Sequence, residues 1–341
     1  MHIAVVTSSP PDTEGGHLVI ARELRQALRD AGHDADVVIT PDYGFGRQAR
    51  AYVDTWRTHL SPGIDRVISL RYPSYAVRHP RHVCWLNHTM REYYDLWDRF
   101  SRPLSPQGRI KERVRRTLIH AADRYLLTRN VTKLFVQSRT IQQRLAMWPS
   151  LTSTVLYPPA PQRAYRTERY GPEFLFVSRL TSLKRADLVV RAVADSASGG
   201  ARVTIAGEGE EREPLERLAA GLNVRSRVTF TGRLTEEQML EQLARCRAVV
   251  FPPVQEDYGF VTVEAFAARK AVITCRDSGG PAELVQDGVS GFVVDPAPAS
   301  VAAAMRRLAE DAALAEQMGT AAYAAGTRLN WADTVKSLVL E

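Results

Sequence analysis

Apolar residues in this chain fall into two kinds of run. Short continuous ones, HIAVVT (2–7), ADVVIT (35–40), DRVISL (65–70), HVCWLN (82–87), KLFVQS (133–138) and STVLYP (153–158), read as strands of a parallel sheet covered on both faces. Between them lie stretches with helical periodicity. One runs over 17–31 and stops at Gly32, a glycine placed to end a helix, and a longer one covers about 109–128. The segment 157–172, YPPAPQRAYRTERYGP, has no period and is rich in Pro and Arg, so it reads as a linker. The strand pattern then restarts with FLFVSRL, RVTIAG, RVTFTG, AVVFPP, AVITCR and GFVVD, with helices between most of them and an Ala-rich helical tail over 298–341.

Two successive alternations of strand and helix predict an α/β protein of two facing Rossmann-like, doubly wound parallel-sheet domains. The expected division is 1–160 and 161–341, with the last helix, about 330–341, packing back on the N-terminal domain. Ligands of such sheets bind at the carboxyl ends of the strands, which predicts a site in an interdomain cleft.

Composition adds little to this picture except at two points. Hydrophobic residues make up 45% and charged residues 24% of the 341, and no run approaches the ~20 apolar residues of a membrane span. The N-terminal MHIAVVTSSPPD reads as a buried first strand and not as a signal peptide. Cys84, Cys246 and Cys275 lie far apart in or beside apolar runs, which suits free thiols in a cytoplasmic protein and argues against a disulfide or zinc site. The net charge of +7 is uneven: 98–147 holds twelve Lys or Arg against three Asp or Glu, an excess of nine, so the rest sums to −2.

Candidate chemistry gathers in three loops of the second half. In SRLTSLKRADL (178–188), Arg179 and Lys184 lie on either side of a turn and could close on one anion, with Arg185 beside them. In AGEGEER (206–212), Gly207 and Gly209 permit close backbone approach, although Arg212 stands where a dinucleotide fingerprint has its third glycine. The third stretch is EDYGFVTVE (256–264). Glu256 and Glu264 cannot share a helical face at that spacing, but both make sense if Gly259 turns the chain into a helix starting at Phe260 and Val261, whose first N–H groups suit a phosphate. Glu264 then sits among apolar neighbours and needs a partner, for which ribose hydroxyls are candidates. Further glycines, Gly279 and Gly280, stand before Pro281. An Asp-x-Asp match, DAD (34–36), precedes a strand and reads as ordinary exposed acids, so no metal site is assigned.

These residues carry a resemblance. Glu256 and Glu264 with seven residues between them, the Arg179…Lys184 pair, AGEGEER and GGPAELVQDGVSGFVV occur in the order found in the donor domain of family-4 retaining glycosyltransferases, which have the GT-B fold. Asp257 departs from the glycine common after the first glutamate. In the first half the likeness is looser, through EGGHLVIARELRQALRDAGHDADVV and WLNHTMREYYDLWD, and is reminiscent of mannose-transferring enzymes of surface polysaccharide assembly. The resemblance implies a metal-independent transfer of a mannose-like or other hexose from a nucleotide-diphosphate sugar to a sugar or lipid-linked acceptor. Arg179 and Lys184 would hold the diphosphate, Glu264 the ribose, Glu256 the sugar hydroxyls, and the backbone near Leu234 the base. Gly207, Gly259, Phe260 and Val261 complete the donor site, Gly15 and Gly16 would close over the phosphates, and His88 would face the sugar or acceptor.

A lone His after a strand is as readily structural as catalytic, so His88 stays open in role. A nucleotide-sugar epimerase or phosphorylase of the same fold is the rival enzyme, and a nucleic-acid-binding protein the rival of another class. No nucleic-acid module is visible to support the latter. The basic segment 99–144 places Arg109, Lys111, Arg113, Arg115, Arg116 and Arg124 on one helix with Ile110, Val114, Leu118 and Ile119. It is expected to contact an anionic membrane surface, peripherally on the inner face.

Overall fold

A computed structural model describes residues 1–9 and 16–340, which divide into two units: 1–161 with 330–341, and 162–329. The first unit holds six parallel strands, β1 (His2–Ser9), β2 (Asp34–Pro41), β3 (Arg66–Arg71), β4 (His82–His88), β5 (Lys133–Val136) and β6 (Thr154–Val155). Their order is β2-β1-β3-β4-β5-β6, so the winding reverses between β1 and β3. The first helix, α1 (Gly16–Asp30), buries Leu18, Ile20, Ala21, Leu24, Ala27 and Leu28, a helical stripe ended by Gly32 at φ +83°. Helices α2 (Gln48–Trp56), α3 (Trp97–Ser101), α4 (Pro106–Tyr125) and α5 (Arg139–Leu145) follow. The C-terminal helix Trp331–Val339 belongs to this unit: the Trp331 indole donates to Ala160 O at 3.0 Å, and Arg66 donates to Leu338 O at 3.0 Å.

The second unit also has six parallel strands, β7 (Glu173–Val177), β8 (Arg202–Ala206), β9 (Val228–Gly232), β10 (Val249–Val250), β11 (Val272–Cys275) and β12 (Gly291–Val294). They run in the order β12-β11-β10-β7-β8-β9, which places the reversal between β7 and β10. Seven helices cover this sheet: α6 (Ala186–Ala194), α7 (Arg212–Gly221), α8 (Glu236–Arg245), α9 (Phe260–Ala267), α10 (Gly280–Leu284), α11 (Pro298–Glu310) and α12 (Ala312–Gly326). One continuous core, from Phe174 to Ala322, fills the unit. Both units are therefore Rossmann-like α/β sheets, as the alternation predicts.

Some boundaries differ from the sequence reading, each for a local reason. The run AVVFPP yields only Val249–Val250 as strand, because Pro252 and Pro253 have no N–H for a ladder. The helix expected from Arg109 begins at Pro106, with Ser105 as its cap accepting from Gly108 N at 3.1 Å. At its far end it passes into a wider π-turn, Leu126–Asn130. The three cysteines are buried and unpaired, and burial pushes each thiol up to about 12.

Helix α4 is attached to its unit by polar groups. Asp123 is fully buried and accepts from the hydroxyls of Tyr52, Tyr75 and Tyr94. Glu112 accepts from Tyr93 Oη at 2.7 Å, and Arg116 and His120 both donate to Tyr93 O at 2.8 Å. Burial lifts the Asp123 carboxyl to about 6, against the three phenols that favour its charge. Asp123→Ala strands three phenols and is expected to cost about 3 kcal/mol in urea unfolding. A carboxyl raised in the fold contributes stability that is fully present below its unfolded pKa of about 3.9 and is lost as pH rises through the folded value. The stability of the native chain relative to Asp123→Asn should therefore fall between about pH 4 and pH 7, and a flat difference would remove the buried-carboxylate account.

Candidate functional site

The loops at the carboxyl ends of β7, β8, β10 and β11 are locked together through their backbones. Gly207 and Gly209, after β8, lie so close to the loop after β7 that a Cβ would stand 1.8 Å from Ser178 O and 2.3 Å from Leu180 O. In return Leu180 N donates to Glu208 O at 2.8 Å. The close approach these glycines permit is thus to the neighbouring loop, which accounts for Gly207 without a ligand.

The loops after β10 and β11 are joined in the same way. Glu256 N donates to Ser278 O at 2.9 Å and Gly280 N to Glu256 O at 2.8 Å, while a Cβ on Gly279 would fall 2.5 Å from Glu256 O. The loop after β7 reaches across as well. Val254 N donates to Leu183 O at 2.8 Å, and Arg185, itself left-handed at φ +52°, donates to Pro252 O and Pro253 O and pairs with Asp277 at 2.7 Å.

On this scaffold Lys184 and Glu256 meet. Lys184 ends the short turn Ser182–Lys184 after β7, and its Nζ lies 2.6 Å from Glu256 Oε2 in the loop after β10. Because β7 and β10 are the neighbours at which the winding reverses, the pair straddles the topological switch point of the sheet. Arg179, in the same loop as Lys184, is exposed and has no side-chain partner among the described residues.

Glu264 stands apart from that pair on α9. The helix is entered through Gly259 at φ +81°, packed against Phe251 and Pro281, and its first residues are Phe260 and Val261. Glu264 is 7% exposed. Its carboxylate accepts from the Arg163 guanidinium and, at 3.2 Å, from Tyr165 Oη. Arg163 also pairs with Glu236 at 2.9 Å, two residues past Leu234 in the loop after β9. Burial, with the Glu264 charge beside it, holds the Tyr165 phenol well above its ordinary range.

In sequence, ribose hydroxyls are the candidate partner of Glu264 and 157–172 reads as a linker. The linker has no regular element, but its Arg163 and Tyr165 are partners of that carboxylate. The one available signal was the need of a buried carboxylate for a cation; which cation, a hundred residues away, has no local mark.

Lys184, Glu256, Gly207, Leu234, Gly259, Phe260, Val261 and Glu264 all lie on loops or a helix start at the strands' carboxyl ends in the second unit. His88 and Gly16 are in the first unit. His88 is the half-buried last residue of β4 and its carbonyl accepts from Tyr72 N at 3.1 Å; Gly16 opens α1. Gly15 lies outside the described residues. Asp34 and Asp36 sit at the opposite, amino end of β2, exposed, with His2 Nε2 3.4 Å and Arg29 3.0 Å from Asp36.

The backbone locking makes a sharp prediction. Gly279 and Gly288 have nearly equal φ, +71° and +72°, but a Cβ at Gly288 meets nothing within 4 Å. Gly288→Ala should cost about 1 kcal/mol for its φ, and Gly279→Ala at least about 1–2 kcal/mol more, for parting the two loops and for its ψ of −126°. Equal losses in thermal unfolding would mean the loops give way without resistance.

The chain is similar to known proteins. Residues 163–325 match the family described as "Glycosyl transferases group 1". The chain is 33% identical over 164 residues to alpha-D-kanosaminyltransferase of Streptomyces kanamyceticus, covering 46% of this chain and 42% of that one. It is 28% identical over 256 residues to D-inositol 3-phosphate glycosyltransferase of Acidothermus cellulolyticus, covering 68% and 57%. The chain thus spans about half the length of these relatives. Sucrose-phosphate synthase from Thermosynechococcus elongatus superimposes with a TM-score of 0.79 at 18% identity, over 99% of this chain and 97% of that one. Anabaena HepE in complex with UDP and glucose gives 0.71 at 17%, over 99% and 98%. The fold is that of the GT-B glycosyltransferase structures, and residues 163–325 of the second unit match the group 1 glycosyltransferase family.

Proposed function

We propose that the chain is a retaining hexosyltransferase that moves a mannose-like or other hexose from a nucleotide-diphosphate sugar to a sugar or glycolipid acceptor, with no metal ion. The observation that carries this reading is the Lys184–Glu256 pair across the switch point, where a doubly wound sheet takes its ligand. Arg179 and Lys184 hold the diphosphate, aided by the N–H groups that open α9 at Phe260 and Val261. Glu256, beside Lys184, takes the sugar hydroxyls, and Glu264 the ribose. The base lies against the backbone near Leu234.

The bond between the anomeric carbon and the diphosphate oxygen breaks, and its electron pair leaves with the nucleoside diphosphate. The acceptor hydroxyl bonds to that carbon on the same face and gives its proton to the departing phosphate oxygen. Charge therefore grows on the diphosphate as the bond lengthens, and fixed cations there lower the barrier. The same reading assigns His88 to the sugar or acceptor, and Gly15 and Gly16 to the phosphates. A lipid-borne acceptor would keep a cytoplasmic chain at the inner face of an anionic membrane.

Thermal unfolding with UDP-, GDP-, dTDP- and ADP-sugars, with and without EDTA, tests the proposal. At about 100 times its dissociation constant the true donor adds roughly 2.7 kcal/mol. A shift for one nucleotide class, unchanged by EDTA, is expected; a shift that EDTA abolishes would overturn the metal-free site.

Two substitutions separate the glutamates' duties. Glu264→Ala should weaken nucleotide binding by about 10- to 100-fold, the worth of hydrogen bonds to a charged group. Glu256→Ala should leave nucleotide binding within about threefold and lower kcat by about a hundredfold. Calorimetry with the nucleoside diphosphate and initial rates with the donor sugar read the two effects, and a reversed pattern would exchange the assignments.

A further inference from the structure

Helix α4 is built inside out. Its buried positions are Glu112, Ile119 and Asp123, two of them carboxylates, whereas Ile110 (65% exposed), Val114 (58%), Leu118 (66%) and Tyr125 (58%) face solvent. At 3.6 residues per turn those four side chains fall within an arc of about 80°, opposite the Glu112–Ile119–Asp123 face. They are four of the twelve exposed large hydrophobic residues among those described. Lys111 borders the stripe on one side, and Arg113 and Arg124 on the other, all exposed. The helix's two acids are withdrawn from that surface, Glu112 to Tyr93 and Arg115 and Asp123 to its tyrosines.

We infer that the outer face of α4 docks on an anionic lipid surface, with Ile110, Val114, Leu118 and Tyr125 entering the headgroup–acyl boundary and Lys111, Arg113 and Arg124 meeting lipid phosphates. An apolar stripe between basic borders is the form an interfacial helix takes, lying in the plane of the bilayer. Among the described residues no helix is long and apolar enough to cross a membrane, so this contact is peripheral. Charge decides among occupants. A second copy would set like charges from Lys111, Arg113 and Arg124 against each other, while an anionic membrane neutralises them and receives the apolar groups together. The inference deepens the glycolipid reading above and rests on it only for the purpose of the contact.

Sedimentation of the full chain with phosphatidylcholine vesicles, with and without phosphatidylglycerol, at low and high salt, tests it. Binding is expected only with phosphatidylglycerol, reduced by salt. The triple variant Ile110→Gln, Val114→Gln, Leu118→Gln changes only exposed positions on a helix that tolerates Gln, and should bind at least tenfold more weakly. Each of Lys111→Gln, Arg113→Gln and Arg124→Gln should lose about fivefold, the effect of about 1 kcal/mol per cation near a charged surface.

Undiminished binding by the triple Gln variant would overturn insertion. Absence of vesicle binding, or a dimer in sedimentation velocity that the same variant converts to monomer, would overturn the lipid assignment. The donor-induced thermal shift is read without vesicles, so its presence alongside failed docking would leave the transferase reading standing and remove only this one.

Discussion

The candidate site depends on loops that touch backbone to backbone with no side chain between them. Loops at strand ends are usually the mobile part of a doubly wound sheet, yet here Gly207 and Gly209 seat one against another at distances a Cβ could not share, and Gly279 and Gly280 do the same for a second pair. The contacts of Arg185 with Pro252, Pro253 and Asp277 join the two pairs. The side chains that matter project from this interlocked rim. Glycine here acts on the candidate site indirectly, by fixing where Lys184 and Glu256 stand.

Electrostatics then follow from placement. Lys184 and Glu256 are each about one-fifth exposed as side chains, so either alone would carry a desolvation cost that the other offsets. Each charge is thus held in place by the other. Arg185 and Asp277 repeat the arrangement one residue on, but there the cation is also committed to two carbonyls and acts as a tie. Arg179, exposed, has no side-chain partner among the described residues. Glu264 is held by an arginine and a tyrosine, so the orientation of its carboxylate is set from the linker side.

The strands were legible because a parallel strand covered on both faces must be a continuous apolar run, and β-branched residues occur in each of these runs. Where the run and the ladder disagree, as at Val249–Val250, a proline ends the pairing before the hydrophobicity ends. The spacing of Glu256 and Glu264 around Gly259 was legible for a similar local reason, since a left-handed glycine before a helix leaves its own mark. Pairings between distant segments leave no such mark. Arg163 finds Glu264 across 101 residues, and Lys184 finds Glu256 across 72. Tyr165 looks in sequence like any aromatic in a linker.

Helix α4 shows the same limit, because its apolar pattern alone does not say which way the helix faces. Ile110, Val114 and Leu118 at intervals of four are what a buried stripe looks like, and only the tyrosines gathered around Asp123 turn the helix over. A polar underside has a consequence an apolar one lacks. Hydrogen bonds are directional, so the contacts at Glu112, Arg116, His120 and Asp123 fix the rotation of the helix about its axis, whereas an apolar face could slip by part of a turn. Nothing inside the unit then requires Ile110, Val114 or Leu118 to be apolar, and polar residues would keep the same fold with less apolar surface in water. A single exposed apolar residue needs no explanation. A locked, outward, contiguous stripe with basic borders does, and its physical rationale lies outside the chain.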